Sequence, residues 1–348
     1  MNDINLALQK IIDGEMKKGH TASMILGVKS GDGSVDFTGA GGSADPDSSF
    51  YIASITKMFT AAVIMQLSDE GLVDLEHPVA EYLPNLYLEG IHVHDGIDYS
   101  PILNIRQLLN HTSGLADYYE NGLLDEIKDG RDRTFDVHDA LEMIRGTEPP
   151  AAPDSGKAHY SDTNYQLLGA VIESVCSSPL PEVFARRIFV PLGLESTYVY
   201  GHSEPSLAPL PLYLKDRKME FPRALSSMAP DGAIVSNTRD LLSFLRAYFA
   251  GELFASENFK SIRKFVPMFF PMQYGLGLWR FQIPRWMNLF RKTPVFLGHS
   301  GSTGSFAFYE PERDLFLAGS FNQMENPARP YQLMMKIASK IPPVKEHA

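Results

Sequence analysis

Between Ala53 and Glu70 the chain runs through a helix-length stretch that is apolar on nearly every face and closes at Gly71. A surface helix carries its apolar residues on one stripe, so a helix apolar all round belongs at the centre of a domain large enough to surround it. With 348 residues the chain can do this as one large domain or two intimately joined ones. Hydrophobic residues at 44% and charged residues at 21% exclude a disordered chain, a solenoid or a fibre. The stretch is not a membrane span: Ile52–Leu67 carries Ser54, Thr56, Lys57, Thr60 and Gln66, and no run reaches the roughly 18 to 20 apolar residues a bilayer requires.

Other elements arrange themselves around this helix. Residues 4–18 space Ile4, Leu8, Ile11 and Ile12 at helical intervals. Ala22–Lys29 and Ser34–Gly39 read as a hairpin across Ser30-Gly31-Asp32-Gly33. The middle mixes helical segments (Ile105–Asn110, Val137–Arg145, Tyr165–Val175, Thr238–Ala250) with long loops rich in Pro, Gly and Asp. Strand-like runs return at Thr293–Leu297, Ser305–Tyr309 and Leu315–Phe321, followed by a helix over Arg329–Lys340. The expected fold is α/β, more closely α+β: an antiparallel five-stranded sheet built from both chain ends, flanked by helices. The expected division is 1–71 with 265–348 as the sheet region and 72–264 as the mainly helical region, with the site at their junction.

Three short patterns carry chemistry. Ser54-Ile55-Thr56-Lys57 places a hydroxyl and an ammonium on one helical face, close enough to bond. Serine needs an adjacent base to become a nucleophile, and burial can lower a lysine from its usual 10.4 or so. The plain alternatives are an N-terminal cap for Ser54 and a snorkelling surface residue for Lys57, but an ammonium one turn into an apolar helix is costly and unexplained by them. The spacing recurs at Ser261-Ile262-Arg263-Lys264, where no buried helix surrounds it. Tyr160-Ser161-Asp162 precedes a helix, and Tyr160 can shuttle a proton beside a cation. Gly298-His299-Ser300-Gly301-Ser302 leads into a strand-like run, where glycines let a substrate lie against the strand edge.

Taken in order, these patterns resemble the penicillin-recognising serine hydrolases, in the branch of class C β-lactamases, D-alanyl-D-alanine carboxypeptidases and related esterases. Leu108-Leu109-Asn110-His111-Thr112-Ser113-Gly114-Leu115, Tyr165-Gln166-Leu167-Leu168-Gly169, Pro191-Leu192-Gly193-Leu194 and Tyr274-Gly275-Leu276-Gly277 agree with that branch, over about 10 to 340. The resemblance implies Ser54 as the acylated nucleophile, with Lys57 and Tyr160 sharing the proton work and titrating as a unit. Which of the two is the base stays open. It implies an oxyanion hole from the backbone N–H groups of Ser54 and Ser302, and substrate contacts at Asp162, His299, Gly301 and Tyr118. It calls for no metal and no organic cofactor. The substrate is a small ester, amide or β-lactam, with no nucleic acid involved.

Departures from the branch bear on substrate. Class C β-lactamases end the Tyr box in Asn and begin the last box with Lys; here those places hold Asp162 and His299. An ionised Asp162 accepts only, and pairs with Lys57 rather than donating to an amide carbonyl. A neutral His299 grips a carboxylate less firmly than lysine. Tyr118 stands near the place of an amide-binding Gln. All three point to an esterase or small-amide hydrolase. The alternatives are a class C-type β-lactamase or D-alanyl-D-alanine carboxypeptidase and, from another class, a non-catalytic penicillin-binding or regulatory protein.

Competing readings fall away on residue types. Gly298–Ser302 nearly matches the Gly-x-Ser-x-Gly elbow, but that fold needs a later His and only His347 follows. His92-Val93-His94-Asp95 lacks a further His cluster for a metal, and its histidines are expected exposed. His111 reads as a loop-fixing donor and the lone Cys176 as a buried core residue, which excludes an intramolecular disulfide. A net charge of −11 opposes nucleic-acid binding. One stretch breaks the acidic trend: from Asn258 to Tyr309 there are seven basic residues and no acidic one, leaving −18 on the rest. It holds both tryptophans, Trp279 and Trp286, with Phe265, Phe269, Phe270, Phe281 and Phe290. The plain reading is a packed flap; the sharper one is a basic, aromatic lip, centred on 258–292, that receives an acyl chain or an anionic substrate or makes weak contact with anionic lipid. Met1–Leu6 shows no basic n-region or apolar h-region, so a cytoplasmic location is expected.

Overall fold

The last strand of the chain lies beside the first. In the computed structural model, which describes residues 3–202, 208–255, 260, 262–289 and 292–344, Ile25 pairs with Ser320 and Ser30 with Leu315. Asn258, Ser261, Phe290, Arg291 and His347 lie outside the described residues. The main sheet comprises β1 (Ser23–Ser30), β2 (Asp36–Gly42), β3 (Val266–Pro267), β4 (Met272–Tyr274), β5 (Trp279–Phe281), β6 (Phe296–Ser300), β7 (Ser305–Glu310) and β8 (Leu315–Ser320). Its order is β3-β4-β5-β6-β7-β8-β1-β2, antiparallel throughout.

The sheet therefore has eight strands where five were expected. The three additions, β3 to β5, come from the basic aromatic stretch. Each is two or three residues long, too short for alternation to show in sequence. The stretch is packed in part and exposed in part. Met272, Tyr274, Trp279 and Phe281 are buried in the sheet, while Phe269, Phe270, Trp286 and Leu289 are exposed. Part of its charge is tied down: Arg280 donates to Gln273 and Gln282 at 2.6 Å each, and Lys292 pairs with Glu312 at 2.9 Å.

Alternation sorts the sheet's two faces. Met24, Leu26 and Val28 of β1, with Leu315 and Leu317 of β8, bury against α1 (Asp3–Met16) and the C-terminal helix Arg329–Ala338. Ile25, Ala307, Phe316 and Ala318 point the other way, into the larger core. There the helix Thr238–Ala250 crosses β1, β7 and β8. Gly27 lets it approach: a Cβ there would sit 2.9 Å from Leu242 Cδ1 and 3.0 Å from Thr238 Cβ. Asn237 caps that helix, accepting from Asp240 N at 2.9 Å, worth about 1 kcal/mol.

The helix read as central is central. α2 (Thr56–Asp69) has every residue from Thr56 to Met65 buried, with Ile105–Leu109, Thr163–Cys176 and Leu180–Phe184 in the same core. At about 1.5–3 kcal/mol for each large apolar side chain, this burial dominates the helix's stability. The polar residues of its N-terminal half face one seam, the loop 230–234. Thr60 Oγ1 donates to Pro230 O at 2.6 Å, Ile234 N donates to Thr56 Oγ1 at 3.3 Å, and Lys57 Nζ donates to Asp231 O at 2.9 Å. Two expectations change: Cys176 is half-buried at a helix end, and His92 is fully buried, edge-on to Tyr99. Among the described residues no single helix is long and apolar enough to cross a membrane.

Candidate active site

Ser54 occupies the short 3-10 turn Ala53–Ile55 that leads into α2. The turn is entered through Ala53 at φ +47°, a left-handed conformation that costs a non-glycine residue about 1 kcal/mol or more. Ser54 is no helix cap; its Oγ accepts from Lys57 Nζ at 3.2 Å. The segment before it is stapled to the β6–β7 turn. Thr303 Oγ1 donates to Tyr51 O and Ser305 Oγ to Ile52 O, both at 2.8 Å. Gly301 makes this possible, since a Cβ there would lie 2.5 Å from Ile52 O and 2.8 Å from Ala53 Cβ. The staple sets Ser302 beside Ser54, and both line one cavity. No acceptor among the described residues takes the backbone N–H of either, which leaves two donors for an oxyanion.

Lys57 is completely buried, and its ammonium meets Asp162 Oδ1 at 2.5 Å. Burial alone would push the ammonium's pKa down, but Asp162, Tyr160 and Asp231 outweigh it and hold the group above its usual range. Lys57 is therefore a fixed cation in the resting site. Tyr160 is raised as well: burial raises it most, Lys57 opposes, and Asp162 adds to the rise, so the resting group is a phenol. Its ring lies 5.2 Å from Lys57 Nζ and stacks on Trp279 at 5.7 Å.

Two histidines hold this tyrosine's surroundings, and both are neutral. His111 is fully buried, 4.4 Å from the Tyr160 ring, with burial and then Lys57 pushing its pKa well down. Its Nδ1 accepts from Ser161 N at 3.2 Å and faces Asn164 Nδ2 at 2.9 Å, so it fixes its loop as an acceptor where a donor was expected. His299 lies within β6 at 1% exposure, and the same two causes push its pKa well below the usual value. Its ring nitrogens engage Ser300 O at 2.7 Å and Tyr274 Oη at 3.0 Å. Of the residues expected to contact substrate, Asp162 lines the cavity, while His299, Gly301 and Tyr118 stand behind it. Tyr118 is buried, its hydroxyl donating to Asp231 Oδ2 at 2.9 Å.

The cavity encloses about 240 Å³. Its lining includes Ser54, Tyr160, Ser302 and Thr303 together with the apolar Leu212, Met219, Phe221, Leu225 and Met228. It also holds residues that the sequence analysis missed: Asp117, Glu120 and Asp231 join Asp162 on the wall. Asp117 Oδ1 accepts from Tyr119 N and Asp162 N, both at 3.1 Å. Its proton affinity is raised well above the ordinary, by burial first and then by Asp162. Asp231 is pushed up to about 7, again by burial first, against the pull of Lys57. Asp117 follows directly on the Leu108–Leu115 stretch, a signal that could have been used; Asp231 sits in a Pro-Asp-Gly loop with no motif around it. Among the described residues no three His, Cys, Asp or Glu side chains group as a metal site.

Comparison with known proteins agrees with this geometry. A family model described as Beta-lactamase matches residues 8–337. A putative penicillin-binding protein, PbpX, from Bacillus subtilis is 27% identical over 249 residues, covering 68% of this chain and 54% of that protein. A D-aminopeptidase from Cereibacter sphaeroides is 32% identical over 146 residues, 42% of this chain and 25% of its own. The chain thus spans about half, or less, of the length of the curated relatives it matches. Among solved structures, a D-stereospecific amidohydrolase from Streptomyces sp. superposes with a TM-score of 0.79 at 28% identity, covering 95% of this chain and 97% of that one.

Proposed function

Because the chain belongs to the β-lactamase family of serine hydrolases, we propose that it cleaves esters or small amides through an acyl-enzyme on Ser54. One observation carries the reading: Ser54 Oγ sits 3.2 Å from a buried Lys57 that is paired with Asp162, on a cavity that offers two unclaimed backbone N–H groups. Ser54 attacks the carbonyl carbon, and the N–H groups of Ser54 and Ser302 receive the charge that develops on its oxygen. With Lys57 held as ammonium by Asp162, the proton of Ser54 passes to Tyr160, which hands its own phenolic proton to the leaving group. Water then attacks the acyl carbon by the reverse relay and frees Ser54.

His299 and Gly301 act by position. The neutral imidazole ties Tyr274 to the end of β6, and the glycine lets the β6–β7 turn close on Ser54. With no lysine or arginine on the cavity wall among the described residues, a substrate carboxylate finds no cation, which disfavours β-lactams and carboxyl-terminal peptides. The small-amide side of the reading also accords with the amidohydrolase activity in the name of the Streptomyces relative. Contact of an acyl chain or lipid with stretch 258–292 would run through the exposed Phe269, Phe270 and Trp286. A preference for p-nitrophenyl octanoate over acetate that survives Trp286→Ala would instead place the chain in the cavity.

The test is parallel steady-state kinetics on p-nitrophenyl acetate, p-nitrophenyl octanoate, nitrocefin and a D-alanyl-D-alanine peptide, with Ser54→Ala as control. Ester turnover that disappears in the variant, with little on nitrocefin or the peptide, is the expected result. Fast nitrocefin turnover would overturn the substrate assignment, and an acylated but inactive Ser54 would make the protein a trap.

A further inference from the structure

The cavity's charge is lopsided. Asp117, Glu120, Asp162 and Asp231 all stand on its wall, and no lysine, arginine or histidine among the described residues joins them. The nearest cation, Lys57, is buried behind the wall and engaged by Asp162. Carboxylates crowded together without counter-charges are costly in a half-dry site.

Their free oxygens mark where the complement belongs. Both backbone bonds to Asp117 go to Oδ1, so Oδ2 takes none from the described residues. Glu120, three residues further along the chain, is exposed and takes part in no ion pair among the described residues. Asp231, at 1% exposure, has one oxygen held by Tyr118 and Gln166 while Oδ1 is buried with no hydrogen-bond partner among the described residues. The same cavity is lined by the apolar Leu212, Met219, Phe221 and Met228.

We propose that the substrate of Ser54 carries a free ammonium group, bound by Asp117 and Glu120, and an apolar side chain received by the apolar part of the same cavity lining. This rests on the hydrolase reading above and narrows it to aminoacyl esters and amides. An ammonium supplies three donors, enough to satisfy two carboxylates and still reach the acyl carbonyl's neighbourhood. The same wall repels a carboxylate, so the acids select in both directions.

Competitive inhibition of p-nitrophenyl acetate turnover tests the proposal without requiring any probe to be cleaved. At pH 6.5, below the ~7.7 of an α-amino group, phenylalaninamide is cationic, 3-phenylpropionamide is its amine-free match, and 3-phenylpropionate is anionic. Phenylalaninamide is expected to bind about tenfold or more tightly than 3-phenylpropionamide, the effect of one charge-assisted contact, with the anion weakest. Glu120→Gln, at an exposed position that the fold does not depend on, is expected to shrink that ratio severalfold, and Asp117→Asn to shrink it further. Equal or reversed binding of the amine and its match, with ester turnover intact, overturns the ammonium site and leaves the hydrolase reading standing. Absence of ester turnover in the unaltered protein defeats the hydrolase reading, and the ammonium site with it.

Discussion

The two sides of the cavity are built on opposite terms. On the nucleophile side the working side chains are tied to partners, Ser54 to Lys57, Thr303 to Tyr51 O, Ser305 to Ile52 O and His299 to Tyr274 and Ser300 O, while the backbone N–H groups of Ser54 and Ser302 stay open for the substrate. On the acidic side the carboxylates outnumber the cations, and Asp231 keeps a buried oxygen with no partner. A saturated network is rigid and holds reacting atoms in place; an unsaturated one costs stability and waits for a ligand to complete it. The first side fixes the reaction and the second decides what is brought to it.

Lys57 is the joint between them, so its loss gives the largest effect. Lys57→Met leaves Asp162 and Asp231 buried without a cation, at a cost of about 3–5 kcal/mol in denaturant unfolding. It should also lower kcat/KM on p-nitrophenyl acetate by about 10³ or more. A variant that kept its stability would mean that the acidic side does not depend on the nucleophile side. Tyr160→Phe comes next and separates leaving groups. An anilide needs its nitrogen protonated and a p-nitrophenolate does not, so turnover should fall about 10²–10³ on the anilide but only about tenfold on the ester. Equal losses would remove the phenol from the proton path. Gly301→Ala then tests the staple alone: the new methyl presses on Ile52 O and Ala53, and moving Ser302 N–H should lower kcat by about 10–100 with KM little changed.

The nucleophile side was also the more legible of the two in the sequence. A helix apolar on every face announces its own burial, and a lysine inside it announces a partner; α2 is buried as expected, and Asp162 is that partner. Such inferences hold because they turn on one element and a cost that must be met. The acidic side comes from separate loops, 117–120 and 228–232, whose approach depends on the fold as a whole. Neither has a period to read, and the one sequence signal is that Asp117 lies two residues past the Leu108–Leu115 stretch. Tyr118 shows the difference within adjacent residues: the sequence pointed to it as a substrate contact, and it turns inward to Asp231 while Asp117 and Tyr119 line the cavity. The strand count failed for a related reason, since strands of two or three residues are set by their neighbours rather than by their own pattern.

The smallest expected effect isolates the cost of the acidic side itself. Asp231 titrates near 7 in the folded protein, against about 3.9 in an unfolded chain. The folded state thus holds a proton that the unfolded state releases, and this contribution is fully present below about pH 4. It is lost as pH rises through about 7, so the group lowers stability across that window and adds no further slope above it. Asp231→Asn keeps an acceptor for the Tyr118 hydroxyl but cannot ionise. Relative to the unaltered protein, the variant should gain about 2.5 kcal/mol between pH 5 and pH 8 in urea unfolding, whatever their difference at pH 5. A difference independent of pH would mean that Asp231 is already ionised and neutralised by Lys57, and that the acidic side carries less unmet charge than its geometry suggests.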